Sequence, residues 1–119
     1  MSSSASDPTS STTLQYVHWF RHSAPYINAH RGKTFVLMFD GEAVQHDNFQ
    51  HIIHDIALLH SLGIRLILVH GARPQINQQL KVAQIETPFY KQRRITTRES
   101  LTAVMSAVGS IRLQIEALL

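Results

Sequence analysis

Two short stretches carry the residues from which anion chemistry would be built. "FVLMFDGEAV" (35–44) and "LILVHGARPQI" (66–76) each read as an apolar strand, a glycine-bearing turn and a helix start. Such a turn aims backbone N–H groups and the positive end of a helix at a phosphate. Glycine lets the anion approach, and lysine meets the charge that develops during transfer. Here the first turn offers Met38, Asp40 and Gly41, and the second offers Gly71, Ala72 and Arg73. A carboxylate at the first mouth repels phosphate, and methionine brings no charge. Phosphoryl transfer is therefore disabled on these residues. The plainer reading, an ordinary strand-to-helix turn without a ligand, outranks an active phosphate site.

The histidines offer a second chemistry. His18 and His22 stand four residues apart, and His51 and His54 three apart, spacings that suit zinc. Neither pair has a third ligand at a fixed interval, so no metal site is expected. His51 and Asp55 fit an exposed helical pair better. His70 closes a strand and reads as a hydrogen-bonded turn residue rather than a catalytic one. Lys91, Arg93, Arg94 and Arg98 gather in one basic stretch of a chain with net charge +3. A solvated loop explains it, with nucleic acid, phosphate or an acidic partner as alternatives. No aromatic–basic interleaving supports single-strand binding.

The elements that must position these residues follow from periodicity. Leu14, Val17, Phe20, Arg21 and Ala24 predict a helix over 13–22. Pro25 predicts a kink near Ser23, which would cap a second short helix ending before Gly32. Trp19 and Phe20 face different ways, one toward a core and one toward a neighbouring subunit. "TFVLMF" (34–39) and "IRLILVH" (64–70) are buried strands of a parallel crossover. Between them Phe49, Ile52, Ile53, Ile56, Leu59 and Leu62 predict an amphipathic helix with Asp47 as its cap. A helix begins near Pro74 and fades by Ala83. Residues 84–96 read as a loop with a short strand. Thr96 to Glu99 fits a capping box before a last helix striped with Leu101, Val104, Met105, Val108, Ile111, Ile115 and Leu118.

Composition bounds the setting. With 44% hydrophobic and 16% charged residues the chain is globular. It has no cysteine, which removes disulfides and thiolate metal sites and suits a cytoplasmic protein. No apolar run approaches the roughly 20 residues of a membrane span. "MSSSASDPTSSTT" (1–13) lacks the features of a targeting signal and reads as a disordered tail. Two strands with several helices leave apolar faces uncovered, so the chain is expected to open a larger fold.

"PYINAHRGKTFVLMFDGEAV", "LHSLGIRLILVHGARPQI" and "RRITTRESLTAV" together resemble the amino-acid-kinase-like domain of bacterial N-acetylglutamate synthases, over about residues 20–119. Kinases of that fold carry K-x-G-G at the first turn and H-G-G-G at the second. Met38 stands for the lysine, and Asp40, Ala72 and Arg73 stand for glycines. The resemblance implies an α/β fold, a parallel-sheet αβα sandwich of the amino-acid-kinase type, of which 31–119 is the N-terminal portion. A C-terminal acetyltransferase domain of the GNAT type would lie outside these residues and hold the catalytic groups. It would transfer acetyl from acetyl-CoA, the family's co-substrate, to L-glutamate in the first step of arginine synthesis. No cofactor is expected on this segment. L-arginine is the implied inhibitor, with Tyr26 matching a tyrosine near it. A helix at 14–30 is implied to build a homo-oligomer. The alternatives are a small basic binding module acting alone and, on weaker grounds, an active amino-acid kinase.

Overall fold

The computed structural model describes residues 8–119. The elements run α1 (Pro8–His30), β1 (Thr34–Phe39), α2 (Gly41–Gln45), α3 (Phe49–Ser61), β2 (Arg65–His70), α4 (Arg73–Val82), β3 (Phe89–Tyr90), β4 (Arg93–Arg94) and α5 (Arg98–Leu118). The fold is α/β, as the sequence implies.

β1 and β2 pair in parallel, with Thr34 opposite Arg65 and Phe39 opposite His70. Side chains alternate across a strand, so this register sorts the sheet into two faces. Leu37, Phe39, Leu66 and Leu68 pack on a buried cluster of Phe49, Ile53 and Ile56 from α3 with Ile111 and Ile115 from α5. The opposite face carries Val36, Met38, Ile67 and Val69, all exposed. The core is therefore a helix layer on one side of a two-stranded sheet.

α5 departs from its expected stripe. Its buried positions are Ser100, Ala107, Ile111 and Ile115. Leu101, Met105 and Val108 are exposed. The apolar arc is wider than the face that α4, α3 and the core cluster can cover. The cap also shifts by one residue. Thr97, not Thr96, is the N-cap, and its Oγ1 accepts from the Ser100 N–H at 3.2 Å. The Ser100 hydroxyl donates to the Thr97 carbonyl at 3.0 Å, so the expected reciprocal bond from Glu99 to the cap N–H is not the one that closes the turn. Ser100 is fully buried, so its hydroxyl needs the partner that this turn supplies.

The N-terminal segment differs most. α1 runs unbroken from Pro8, so residues 8–13, expected in the disordered tail, form its first turns. Residues 1–7 lie outside the described part. Pro25 sits inside the helix rather than between two helices. Ser23 does not cap anything; its hydroxyl donates to the Trp19 carbonyl one turn back, at 3.0 Å. Proline withholds the N–H that would bond Arg21, a local loss the helix absorbs because its neighbours are solvated. Trp19 and Phe20 are both about two-thirds exposed, so neither enters the core of this chain. A helix of 23 residues is roughly 35 Å long. Its projection accounts for a molecule 81 Å long and only 35 by 27 Å across.

The foot of α1 is fixed to the sheet. Gly32, at φ +80°, and Gly63, at φ +90°, take conformations that favour glycine. The Gly32 N–H donates to the Gly63 carbonyl at 2.8 Å, and the Arg65 N–H donates to the Lys33 carbonyl at 2.9 Å. Arg65 adds a side-chain bond to the Gly32 carbonyl at 2.9 Å.

Candidate functional site: two facing strand-to-helix turns

Parallel pairing that ends at Phe39 and His70 sets the turns 40–41 and 71–72 side by side. One more bond extends the ladder past the strands, from the Gly71 N–H to the Phe39 carbonyl at 2.9 Å. This is the place where a parallel α/β sheet commonly takes a ligand.

The first turn fills its own anion position. Asp40 is extended, and its Oδ1 accepts from the Ala43 N–H at 2.8 Å. It thereby caps α2, a five-residue helix that periodicity does not reveal. The sequence reading of Asp40 as a group that repels phosphate is incomplete: its carboxylate already occupies the helix end. Asp47, expected to cap α3, is not the cap; Asn48 holds that position and makes no side-chain bond. Instead the Asn48 N–H donates to His46 Nδ1 at 3.1 Å.

The glycines serve packing between turns. A Cβ on Gly71 would stand 3.3 Å from the Gly41 nitrogen and 3.4 Å from the Asp40 Cα. A Cβ on Gly41 would fall 2.4 Å from Gln75 Oε1 and 2.8 Å from Pro74 Cδ. Gln75 Nε2 donates to the Gly41 carbonyl at 2.8 Å, tying α4 to the first turn. Gln75 Oε1 is buried without a hydrogen-bond partner. Ala72 takes the N-cap position of α4 and supplies no side-chain bond. The two turns thus pack directly on each other, with little room for a side chain at either glycine.

Other residues named from the sequence fall elsewhere. Met38 lies on the open sheet face beside Val69, 78% exposed, rather than among the turn residues. His70 is half-buried, and its Nδ1 lies 3.2 Å from the Gly71 carbonyl. Arg73 turns away toward the hairpin, with Nη2 3.5 Å from the Gln92 carbonyl. Tyr26 is exposed on α1. α1 leads into the start of β1 while the turns follow its end, about 20 Å away. The structure therefore does not bring Tyr26 to the turns. Gln75 is the contact residue at the turns that the sequence does not announce: it lies 34 residues from Gly41, and no local pattern links them.

The basic stretch folds into a small hairpin. β3 and β4 pair antiparallel, with Tyr90 opposite Arg93. Lys91 and Gln92, at φ +47° and +65°, form its turn, the doubly positive geometry suited to a two-residue hairpin. Arg94 lies over the Phe89 ring at 4.7 Å and bonds Thr87 and Asn77. Arg73, Ile76, Phe89, Arg94, Thr96 and Val104 line an open recess of about 240 Å³. Among the described residues the ion pair is Arg112–Glu116 at 2.9 Å, not the expected His51–Asp55. The Glu116 hydrogen bond and charge hold the Arg112 pKa above its ordinary value.

Comparison with known proteins gives this geometry its context. Residues 33–119 match the amino acid kinase family. The amino-acid acetyltransferase of Azotobacter vinelandii is 55% identical over 102 residues, covering 86% of this chain and 24% of that protein. The amino-acid acetyltransferase of Pseudomonas syringae pv. tomato is 53% identical over 103 residues, covering 87% and 24%. Two crystal structures of N-acetylglutamate synthase from Neisseria gonorrhoeae share the fold, each covering 87% of this chain and 24% of theirs. The complex with coenzyme A and N-acetyl-glutamate has a TM-score of 0.73 at 33% identity. The complex with coenzyme A and L-arginine has the same TM-score at 34% identity. The chain spans about a quarter of the length of the curated relatives it matches. With the strand-and-turn region lying wholly inside the matched residues, the chain belongs to the amino acid kinase family.

Proposed function

We propose that this chain is the opening, non-catalytic portion of an N-acetylglutamate synthase, serving regulation and assembly. The whole protein would transfer acetyl from acetyl-CoA to L-glutamate and answer to L-arginine. The observation that carries this reading is the first turn, where the Asp40 carboxylate caps the helix and no lysine stands. Asp40 caps α2 from within and Gly71 seats against Gly41, so a carboxylate holds the helix end to which a phosphate would otherwise turn. The similarity to acetyltransferases and to a synthase complexed with L-arginine supports the activity and the effector.

Assembly rests on α1. Val17, Phe20, Ala24 and Ile27 recur at intervals of three and four, the seam of a short coiled coil. Val17 and Phe20 are exposed in the single chain, and a second copy would cover them under two-fold symmetry.

The test uses the complete protein containing this segment. It should release coenzyme A from acetyl-CoA and L-glutamate, and L-arginine should suppress that release. The 119-residue chain alone should show neither turnover nor heat on titration with Mg-ATP. ATP-dependent phosphorylation of an amino acid by either would overturn the reading.

A further inference from the structure

We propose that Arg65 clamps the foot of α1 to the body of the molecule and makes the helix an arm of fixed direction. α1 and α3 both end in glycine turns, Gly32 at φ +80° and Gly63 at φ +90°. A helix that stops in such a glycine ordinarily turns the glycine N–H back on its own last carbonyls. Gly32 bonds elsewhere. Its N–H donates to the Gly63 carbonyl at 2.8 Å, and its carbonyl accepts from Arg65 Nη2 at 2.9 Å. Both backbone polar groups of Gly32 are thus held by residues 63–65, the segment that leads from α3 into β2. The Arg65 N–H adds a third bond, to the Lys33 carbonyl at 2.9 Å. Arg31 passes over Gly63, where a Cβ would stand 2.9 Å from its Cγ. The His30 and Phe35 rings meet beside it, with centroids 5.4 Å apart.

These contacts decide direction because little else does. From 10 to 30 no α1 side chain is buried. A helix held by one bond at its foot swings about that bond. The two bonds to Gly32 lie on either side of its Cα, so each resists rotation about the other. The lever is long: a tilt of about 10° at the foot of a helix roughly 35 Å long carries its far end about 6 Å. Arg65 is itself exposed, so removing its guanidinium costs the fold little. Its effect falls on the angle of α1 instead. The clamp belongs to the single chain and does not depend on the assembly proposed above, although a two-fold seam needs an arm of fixed direction.

The chain has no cysteine, so His22→Cys on α1 and Gln50→Cys on α3 place two spin labels at exposed positions. Pulsed dipolar spectroscopy of the 119-residue chain, diluted with excess unlabelled chain, reads the distance between them within one molecule. The parent should give a single narrow distribution. Arg65→Gln, too short to reach the Gly32 carbonyl, should broaden that distribution and shift its mean while the urea unfolding midpoint stays in place. Arg65→Lys keeps a donor on a long stem and should restore much of the narrow peak. Arg112→Gln, which loses an exposed arginine on α5, should leave the distribution as it was. An R65Q distribution as narrow as the parent's would overturn the proposal, as would a parent distribution that is already broad. Equal broadening in R112Q, or a lowered urea midpoint in R65Q, would also overturn it, by making the effect a general loss of charge or of fold.

Discussion

α1 and α5 are the two long helices of this chain, 23 and 21 residues, yet they are held by opposite means. α5 is fixed by tertiary contact: Ile111 and Ile115 are buried against α3 and the sheet, and Thr97 and Ser100 close its first turn. α1 keeps Leu14, Tyr16, Trp19, Phe20 and Tyr26 about two-thirds exposed. It also contains a proline, and only its foot is bonded to the sheet through Gly32 and Arg65. The contrast teaches that length and apolar content do not place a helix. What places it is whether another surface of complementary register is available. α5 finds one in this chain; α1 offers its seam outward.

The contrast can be broken most forcefully at α5. Ile111→Ala removes a side chain that is 1% exposed and should cost about 2–5 kcal/mol, read by urea unfolding. A cost below 1 kcal/mol would mean that α5 is not anchored as described.

Next comes the seam between the turns. Gly41→Ala drives a Cβ into Pro74 Cδ and Gln75 Oε1 and should cost about 1–3 kcal/mol, because α4 must withdraw. Tolerance of alanine there would show that the turns have room between them.

Thr97→Ala removes the cap of α5 and exposes the buried Ser100 N–H to an unmet bond. About 1 kcal/mol is expected, measured in the same unfolding series.

The smallest effect belongs to α1. Phe20→Ala should leave unfolding stability within about 0.5 kcal/mol, since the side chain is exposed in the single chain. The same substitution in the complete protein should lower its mass by light scattering if the seam joins subunits. An unchanged mass would leave α1 a lone projection and remove the assembly proposal.

Much of the fold was legible because its signals are local. "TFVLMF" matches β1 residue for residue, and β2 begins one residue after its expected start. Phe49, Ile53 and Ile56 point inward on α3 as their spacing requires. The short helix α2 was not legible, since five residues carry too little periodicity and only the Asp40 cap defines it. The one-residue error at the α5 cap has a similar source. Thr96 and Thr97 are equivalent in local chemistry, and the burial of Ser100 chooses between them.

The sequence by itself determined the strands, the main helices, the loss of lysine and glycines from both turns, and the resemblance that the family match bears out. These depend on side-chain type and short-range spacing, which a linear chain displays openly. Only the tertiary structure decided that the turns close on each other through Gly41, Gly71 and Gln75. It also decided which arc of α5 is buried and that α1 continues through Pro25. Those outcomes depend on which surfaces meet across tens of residues, and on how much burial or solvation offsets a local penalty.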